Sequence, residues 1–209
     1  MLRRLRPYAA NALTAARLVL TPAFVLAIWS AGQRRVWGVV AVALFAVVAA
    51  SDVWDGRVAR RFGSDGNAGR VFDHFADIGF IVVALSAYVW LGTSPWWVPA
   101  SIAASFGFYV VDSWSRPTAR GGLIGSRIGH AAGVLNYGLI GVLVCNNSAG
   151  IRLLSDSVLR PLFWLVPMYS ALAVATRLAG RSEGTALVTP QPVSMQSGDP
   201  PGRPYNHSA

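Results

Sequence analysis

Apolar positions in this chain fall in long unbroken runs separated by short polar segments, with little of the polar/apolar alternation of a water-exposed surface. Val36–Ser51, Ile128–Ile151 and Pro161–Thr176 contain no charged residue, and Ala9–Ala31 is interrupted only by Arg17. Each predicts one membrane-crossing helix. The run from Ile78 to Val111 holds 34 uncharged residues, whereas one crossing needs about 20. Gly92-Thr93-Ser94-Pro95 divides it, because Gly92 is a natural helix stop and Pro95 cannot continue a helix. The pattern therefore predicts an all-α, polytopic membrane protein with six transmembrane helices.

The second and third crossings are short for a bilayer, so both are expected to continue as helix through the charged segment between Ser51 and Asp77. An even number of crossings puts both termini on one side of the membrane. That side carries Arg3, Arg4, Arg6, Arg57, Arg60, Arg61, Arg70, Arg116, Arg120, Arg127, Arg177 and Arg181, against Arg34, Arg35, Arg152 and Arg160 on the other. The excess marks it as cytoplasmic, and the cell inner membrane as the expected location. Met1–Tyr8, basic and apolar by turns, reads as a short interfacial segment. With Arg17 inside the first run and no small-residue cleavage site after it, a signal peptide is not expected. Beyond Arg181 the chain turns to Thr, Pro, Gln, Ser and Gly. Residues 1–181 thus form the expected transmembrane domain and 182–209 a disordered polar tail.

Composition sharpens this picture through what is missing. Only 13% of residues are charged while 54% are hydrophobic, with a mean hydropathy of +0.45; a soluble domain carries about 25% charged residues. A disulfide scaffold is excluded, since Cys145 is the single cysteine. The net charge of +9 comes entirely from arginine. Those arginines lie mostly at the edges of apolar runs, where they meet lipid headgroups or phosphates, so nucleic acid is not an expected partner.

The acidic residues are few and concentrated. Five of the nine lie between Asp52 and Asp77. Asp52 and Asp55 are three apart and Asp73 and Asp77 four apart, so each pair shares one helix face. Gly56 and Ala59 lie on the first face and Gly69 one turn before Asp73 on the second, and small residues allow close helix approach. Four converging carboxylates repel unless cations neutralise them. Hard oxygen donors without Cys or His partners point to Mg²⁺ or Mn²⁺. Two such ions clamp phosphate oxygens in displacement reactions, and Arg60 and Arg61 are placed to hold a further phosphate oxygen. The plainer alternative, Asp–Arg pairing at the membrane surface, accounts for one or two contacts but not for two same-face pairs with matched small residues.

Asp52-Val-Trp-Asp55-Gly56-Arg-Val-Ala59-Arg60, then eight residues, then Gly69-Arg-Val-Phe-Asp73-His-Phe-Ala-Asp77 resembles the signature D-x-x-D-G-x-x-A-R-x8-G-x-x-x-D-x-x-x-D of the CDP-alcohol phosphotransferase family, with every fixed position present. The resemblance implies an enzyme of phospholipid biosynthesis. It would transfer a substituted phosphate, such as phosphatidyl from CDP-diacylglycerol, to an acceptor alcohol and release CMP. It assigns Asp52, Asp55 and Asp73 as metal ligands and Asp77 as completing the metal site and serving as general base. Gly56 and Ala59 would leave room for cytidine, Arg60 would touch the nucleotide phosphates, and Gly69 belongs to the same nucleotide site. It further implies six helices around a polar cavity open to the cytoplasm, and a homodimer.

Asn11, Thr14, Arg17 and Pro22 resemble the N-x-x-T-x-x-R-x-x-x-x-P opening of phosphatidylglycerophosphate-synthase-like members. Thr14 is a candidate for the nucleotide pocket, and Arg17, inside a span, needs an anionic partner such as the Asp cluster or a pyrophosphate. Arg116, Arg120 and Arg127 are candidates for a phosphate on the acceptor, which suits glycerol 3-phosphate or inositol phosphate. The alternative there is an Asp112–Arg116 structural pair with ordinary loop charges. His74, off the Asp73 face, is expected to pack. A departure from the phosphatidylglycerophosphate-synthase pattern is the absence of lysine, so CDP-choline, CDP-ethanolamine and inositol-phosphate transfer stay open. A small divalent-cation transporter is the alternative of a different class; it would want its carboxylates near the bilayer midplane.

Overall fold

The computed structural model describes the backbone of residues 6–62, 67–115 and 127–186, and the side chains of 15–51, 72, 74–115 and 131–179. All regular structure among the described residues is helical. Six α-helices run in order: α1 (Arg6–Ser30), α2 (Arg35–Phe62), α3 (Asn67–Trp90), α4 (Trp97–Ser115), α5 (Arg127–Leu143) and α6 (Asp156–Ala186). A π-helical turn, Val144–Ser148, extends α5. As the short apolar runs predicted, α2 and α3 continue as helix well beyond their uncharged stretches.

The division of the 34-residue apolar run is also as expected. Gly92 adopts φ +71°, a left-handed conformation that costs other residues strain. The Thr93 and Ser94 amides turn back to the Tyr88 carbonyl at 3.0 and 3.1 Å, closing α3.

Two boundaries differ from the sequence pattern. The run Ile128–Ile151 is not one straight helix, because α-helical geometry stops at Leu143. The Asn146 side chain takes the Leu153 amide at 2.7 Å and donates to the Leu154 carbonyl at 2.7 Å. Asn and Ser offer the backbone such local alternatives to helix, and Gly150 at φ +70° completes the turn. At the other end, α6 starts five residues before Pro161 and absorbs both Pro161 and Pro167. Asp156 in its first turn suits the positive end of the helix dipole. It also runs to Ala186, past the expected boundary at 181, while the tail from 187 lies outside the described residues.

α3 is the central element, packing against α1, α4 and α5, while α4 packs on α6. Phe24, Phe80, Phe45 and Tyr137 form the aromatic centre, with Phe24–Phe80 centroids 5.5 Å apart and Phe80 stacked on Tyr137 at 5.8 Å. Large apolar side chains also cover the outside: Val19, Leu26, Val39, Trp90, Trp164 and Met168 are all exposed. An apolar exterior of this extent suits acyl chains rather than water. Among the described residues, Asp156–Ala179 alone is long and apolar enough to cross a membrane by itself. Only 22% of its most apolar window is buried within the protein. Ala15–Ser30, Arg35–Ser51 and His74–Trp90 are shorter apolar stretches of the same kind.

Candidate active site

Arg17 is the largest fully buried side chain in the described part of the protein, with 0% exposure. An isolated guanidinium at that depth would be prohibitively costly. The anionic partner that the sequence required is Asp77: the Arg17 Nη1 donates to the Asp77 carboxylate, joining α1 to α3. The pair forms because α1 and α3 pack side by side, bringing together residues sixty positions apart.

Asp77 is the one motif carboxylate whose side chain is described. It lies on the wall of a cavity of about 480 Å³ enclosed chiefly by α3, α4, α5 and α6. That volume falls in the range of small-molecule sites, about 300–1,000 Å³. Ile78, Ile81, Ile102 and Phe106 supply apolar walls, while Asn136, Tyr169, Ser170 and Arg177 supply the polar groups. His74 packs on the rings of Phe106 and Tyr109 at 5.8 and 5.6 Å, the packing role expected of it, and also edges the cavity.

A second charge on the cavity wall comes from α6. Arg177 donates to the buried Asp112 of α4 at 3.2 Å, and its guanidinium carbon stands 4.2 Å from the centre of the Tyr109 ring. Both contacts align one face of the guanidinium and hold it at the cavity wall. Sequence reasoning counted Arg177 only as a topological charge and offered Arg116 as the partner of Asp112. Arg177 is 65 residues from Asp112, and no spacing rule links them; only the packing of α4 on α6 does. Tyr169 and Ser170 were missed for the same reason, since in an apolar run they read as ordinary helix residues.

Of the other expected site residues, Asp52, Asp55, Gly56, Ala59 and Arg60 belong to the last turns of α2, and Gly69 and Asp73 to the first turns of α3. Their side chains lie outside the described residues, as do those of Thr14 on α1 and Arg127 on α5. Arg116 and Arg120 lie outside the described residues altogether. Among the described residues no group of three or more His, Cys, Asp or Glu side chains gathers to hold a metal ion; of the motif, only Asp77 falls within that set.

Comparison with known sequences decides the family. A sequence model of CDP-alcohol phosphatidyltransferases matches residues 8–176, which span five helices and most of the sixth. The chain belongs to the CDP-alcohol phosphatidyltransferase family. Two curated relatives, each named "Probable phosphatidylglycerophosphate synthase", come from Mycobacterium tuberculosis strains CDC 1551 / Oshkosh and ATCC 25618 / H37Rv. Each is 40% identical over 94 residues. The matched stretch covers 44% of this chain and 45% of each relative, less than half the length of either. The structure brings Arg177, Asn136, Tyr169 and Ser170 to the cavity that Asp77 lines, and pairs Asp77 with Arg17.

Proposed function

We propose that this protein is a phosphatidyltransferase of phospholipid biosynthesis that transfers phosphatidyl from CDP-diacylglycerol to a small phosphorylated alcohol, glycerol 3-phosphate first among them, and releases CMP. One observation carries the reading: the last carboxylate of the complete family motif stands on a small-molecule-sized cavity that the guanidinium-bearing Arg177 also lines. The name of the mycobacterial relatives agrees with the acceptor.

The chemistry follows from the groups present. The acceptor hydroxyl attacks the phosphorus that bears the diacylglyceryl group, the phosphorus–oxygen bond to CMP breaks, and the hydroxyl proton passes to Asp77. Arg17 holds the Asp77 carboxylate at the cavity wall, so the base meets the acceptor without reorganising. Arg177 receives the phosphate of the acceptor, and its planar donors suit that role. Arg60 holds the nucleotide phosphates, and Gly56, Ala59 and Gly69 leave space for the cytidine with Thr14 nearby. Arg116, Arg120 and Arg127 add positive charge at the approach for the acceptor phosphate.

Asp52, Asp55, Asp73 and Asp77 would hold two divalent ions, Mg²⁺ or Mn²⁺. The donor set is all carboxylate oxygen, which suits hard cations, and Asp77 is on the cavity wall. When bound, the ions would supply charge neutralisation at the pyrophosphate. The six helices would each cross the inner membrane, with both termini and the cavity mouth facing the cytoplasm, where CDP-lipids and phosphorylated alcohols meet. A homodimer is the expected assembly.

The test incubates the purified full chain in lipid vesicles with CDP-diacylglycerol, Mg²⁺ and single acceptors, and measures CMP together with the lipid product. Release of CMP with glycerol 3-phosphate, stopped by EDTA and restored by Mg²⁺, is the expected result. Release only with inositol phosphate, serine or choline would move the protein to another branch of the family. No release with any acceptor would refute the enzymatic reading.

A further inference from the structure

The part of the cavity wall contributed by α5 and α6 has an unusual polar inventory. Helical Ser and Thr hydroxyls in an apolar setting normally return to a backbone carbonyl three or four residues earlier. Here Ser101 bonds to the Val98 carbonyl at 2.9 Å, Ser105 to Ile102 at 3.2 Å, Ser115 to Val111 at 2.7 Å and Thr176 to Ala173 at 3.1 Å. Ser170 does not follow them. It is 4% exposed, lines the cavity, and its Oγ has no hydrogen-bond partner. Ser94 and Ser113 share that lack but do not line the cavity.

Beside it, the Tyr169 hydroxyl donates to the Asn136 Oδ1, tying α6 to α5. With its Oδ1 taking the Tyr169 hydroxyl, Asn136 has its Nδ2 group to offer as a donor. Asn136 is itself 3% exposed and lines the same cavity. Two buried side chains thus bring a hydroxyl and an amide to one space, and a buried hydroxyl without a partner, as that of Ser170 is, calls for one from outside the fold.

Seven residues further along α6, two helical turns or about 10 Å along the axis, Arg177 lines the same cavity. The cavity wall thus carries a cation, the Asp77 carboxylate and neutral donors and acceptors together. A molecule complementary to that set has a phosphate and more than one hydroxyl.

We infer that Ser170 and Asn136, the latter oriented by Tyr169, form a hydroxyl-reading subsite that selects acceptors with a second hydroxyl next to the one that reacts. The inference rests on the acceptor reading proposed above and deepens it. The subsite takes no part in proton transfer; it orients the acceptor so that one hydroxyl faces Asp77 while the neighbouring one is held by Ser170 and Asn136. Tyr169 is a positioning residue, acting through the amide.

The test compares glycerol 3-phosphate with 3-hydroxypropyl phosphate, which lacks only the middle hydroxyl, in the full chain reconstituted with CDP-diacylglycerol. A site built to bond a substrate hydroxyl penalises its loss, so the wild type should prefer glycerol 3-phosphate by about tenfold or more in kcat/KM. Ser170→Ala, a small change that the helix tolerates, should collapse that ratio toward one, and Ser170→Thr should retain part of it. A wild type that uses both acceptors equally, or a Ser170→Ala variant that keeps the full preference, would overturn the subsite while leaving the acceptor reading in place. No CMP with either phosphorylated acceptor would overturn both.

Discussion

At the end of the bundle where α1 begins, charged side chains are buried and paired between helices: Arg17 with Asp77 across α1 and α3, and Arg177 with Asp112 across α6 and α4. At the opposite end the contacts are neutral. Tyr88 shares a 3.0 Å hydrogen bond with Ser148, Asn146 holds the 153–154 loop, and Trp97 stacks on Trp164 at 5.1 Å. There the backbones also close tightly, since a Cβ on Gly38 would stand 1.9 Å from the Ser148 carbonyl oxygen. Neutral bonds and close packing suffice to hold helices together, and replacing a buried ion pair by apolar residues is often no loss in stability. Among the described residues buried charge is confined to one end, which is better explained by chemistry performed there than by the needs of the fold.

The contrast can be broken most directly at Asp77. Asp77→Asn keeps an amide oxygen for Arg17 but removes the base, and in the folded protein CMP release should fall by roughly 10²–10⁴-fold with CDP-diacylglycerol binding largely kept. Near-normal turnover would take Asp77 out of that role. The second ion pair should register in stability as well. Arg177→Met removes the cation beside an Asp112 that is 1% exposed, and should lower unfolding stability by about 3 kcal/mol. The double variant Arg177→Met with Asp112→Leu should regain most of it in thermal unfolding while the KM for a phosphorylated acceptor stays high. Recovery of both quantities together would mean that the pair serves only the fold.

The opposite end should answer in stability alone. Gly38→Val forces α2 away from the π-turn, for a loss of about 1–3 kcal/mol, read as a lower melting temperature with kcat of the folded fraction preserved. Tyr88→Phe removes one neutral hydrogen bond and should cost about 1 kcal/mol. A change in KM or kcat from either variant, measured under conditions where the protein stays folded, would show that the two ends are coupled and that the division is too simple.

Much of the fold was legible because long apolar runs bounded by polar breaks specify each helix separately. Apolar runs located the helices, Gly92 and Pro95 divided the longest one, and α2 and α3 outlasted their uncharged stretches as their shortness required. The misplaced ends of α5 and α6 were set by other forces. Asn146 chose a loop over the next helical turn, and two prolines were accommodated in α6 where neighbouring packing outweighs two missing donors.

The site divides in the same way. The spacing of Asp52, Asp55, Asp73 and Asp77 and the need of Arg17 for an anion are local facts, fixed by helical periodicity and the cost of charge in an apolar medium. They were readable from the chain alone. Which anion Arg17 meets, which arginine faces Asp112, and that Asn136, Tyr169 and Ser170 share a cavity with Asp77 were decided only when α3, α4, α5 and α6 packed together. Those contacts join residues 33 to 65 positions apart. No periodicity encodes such a separation, because it depends on how whole helices rotate and slide against one another.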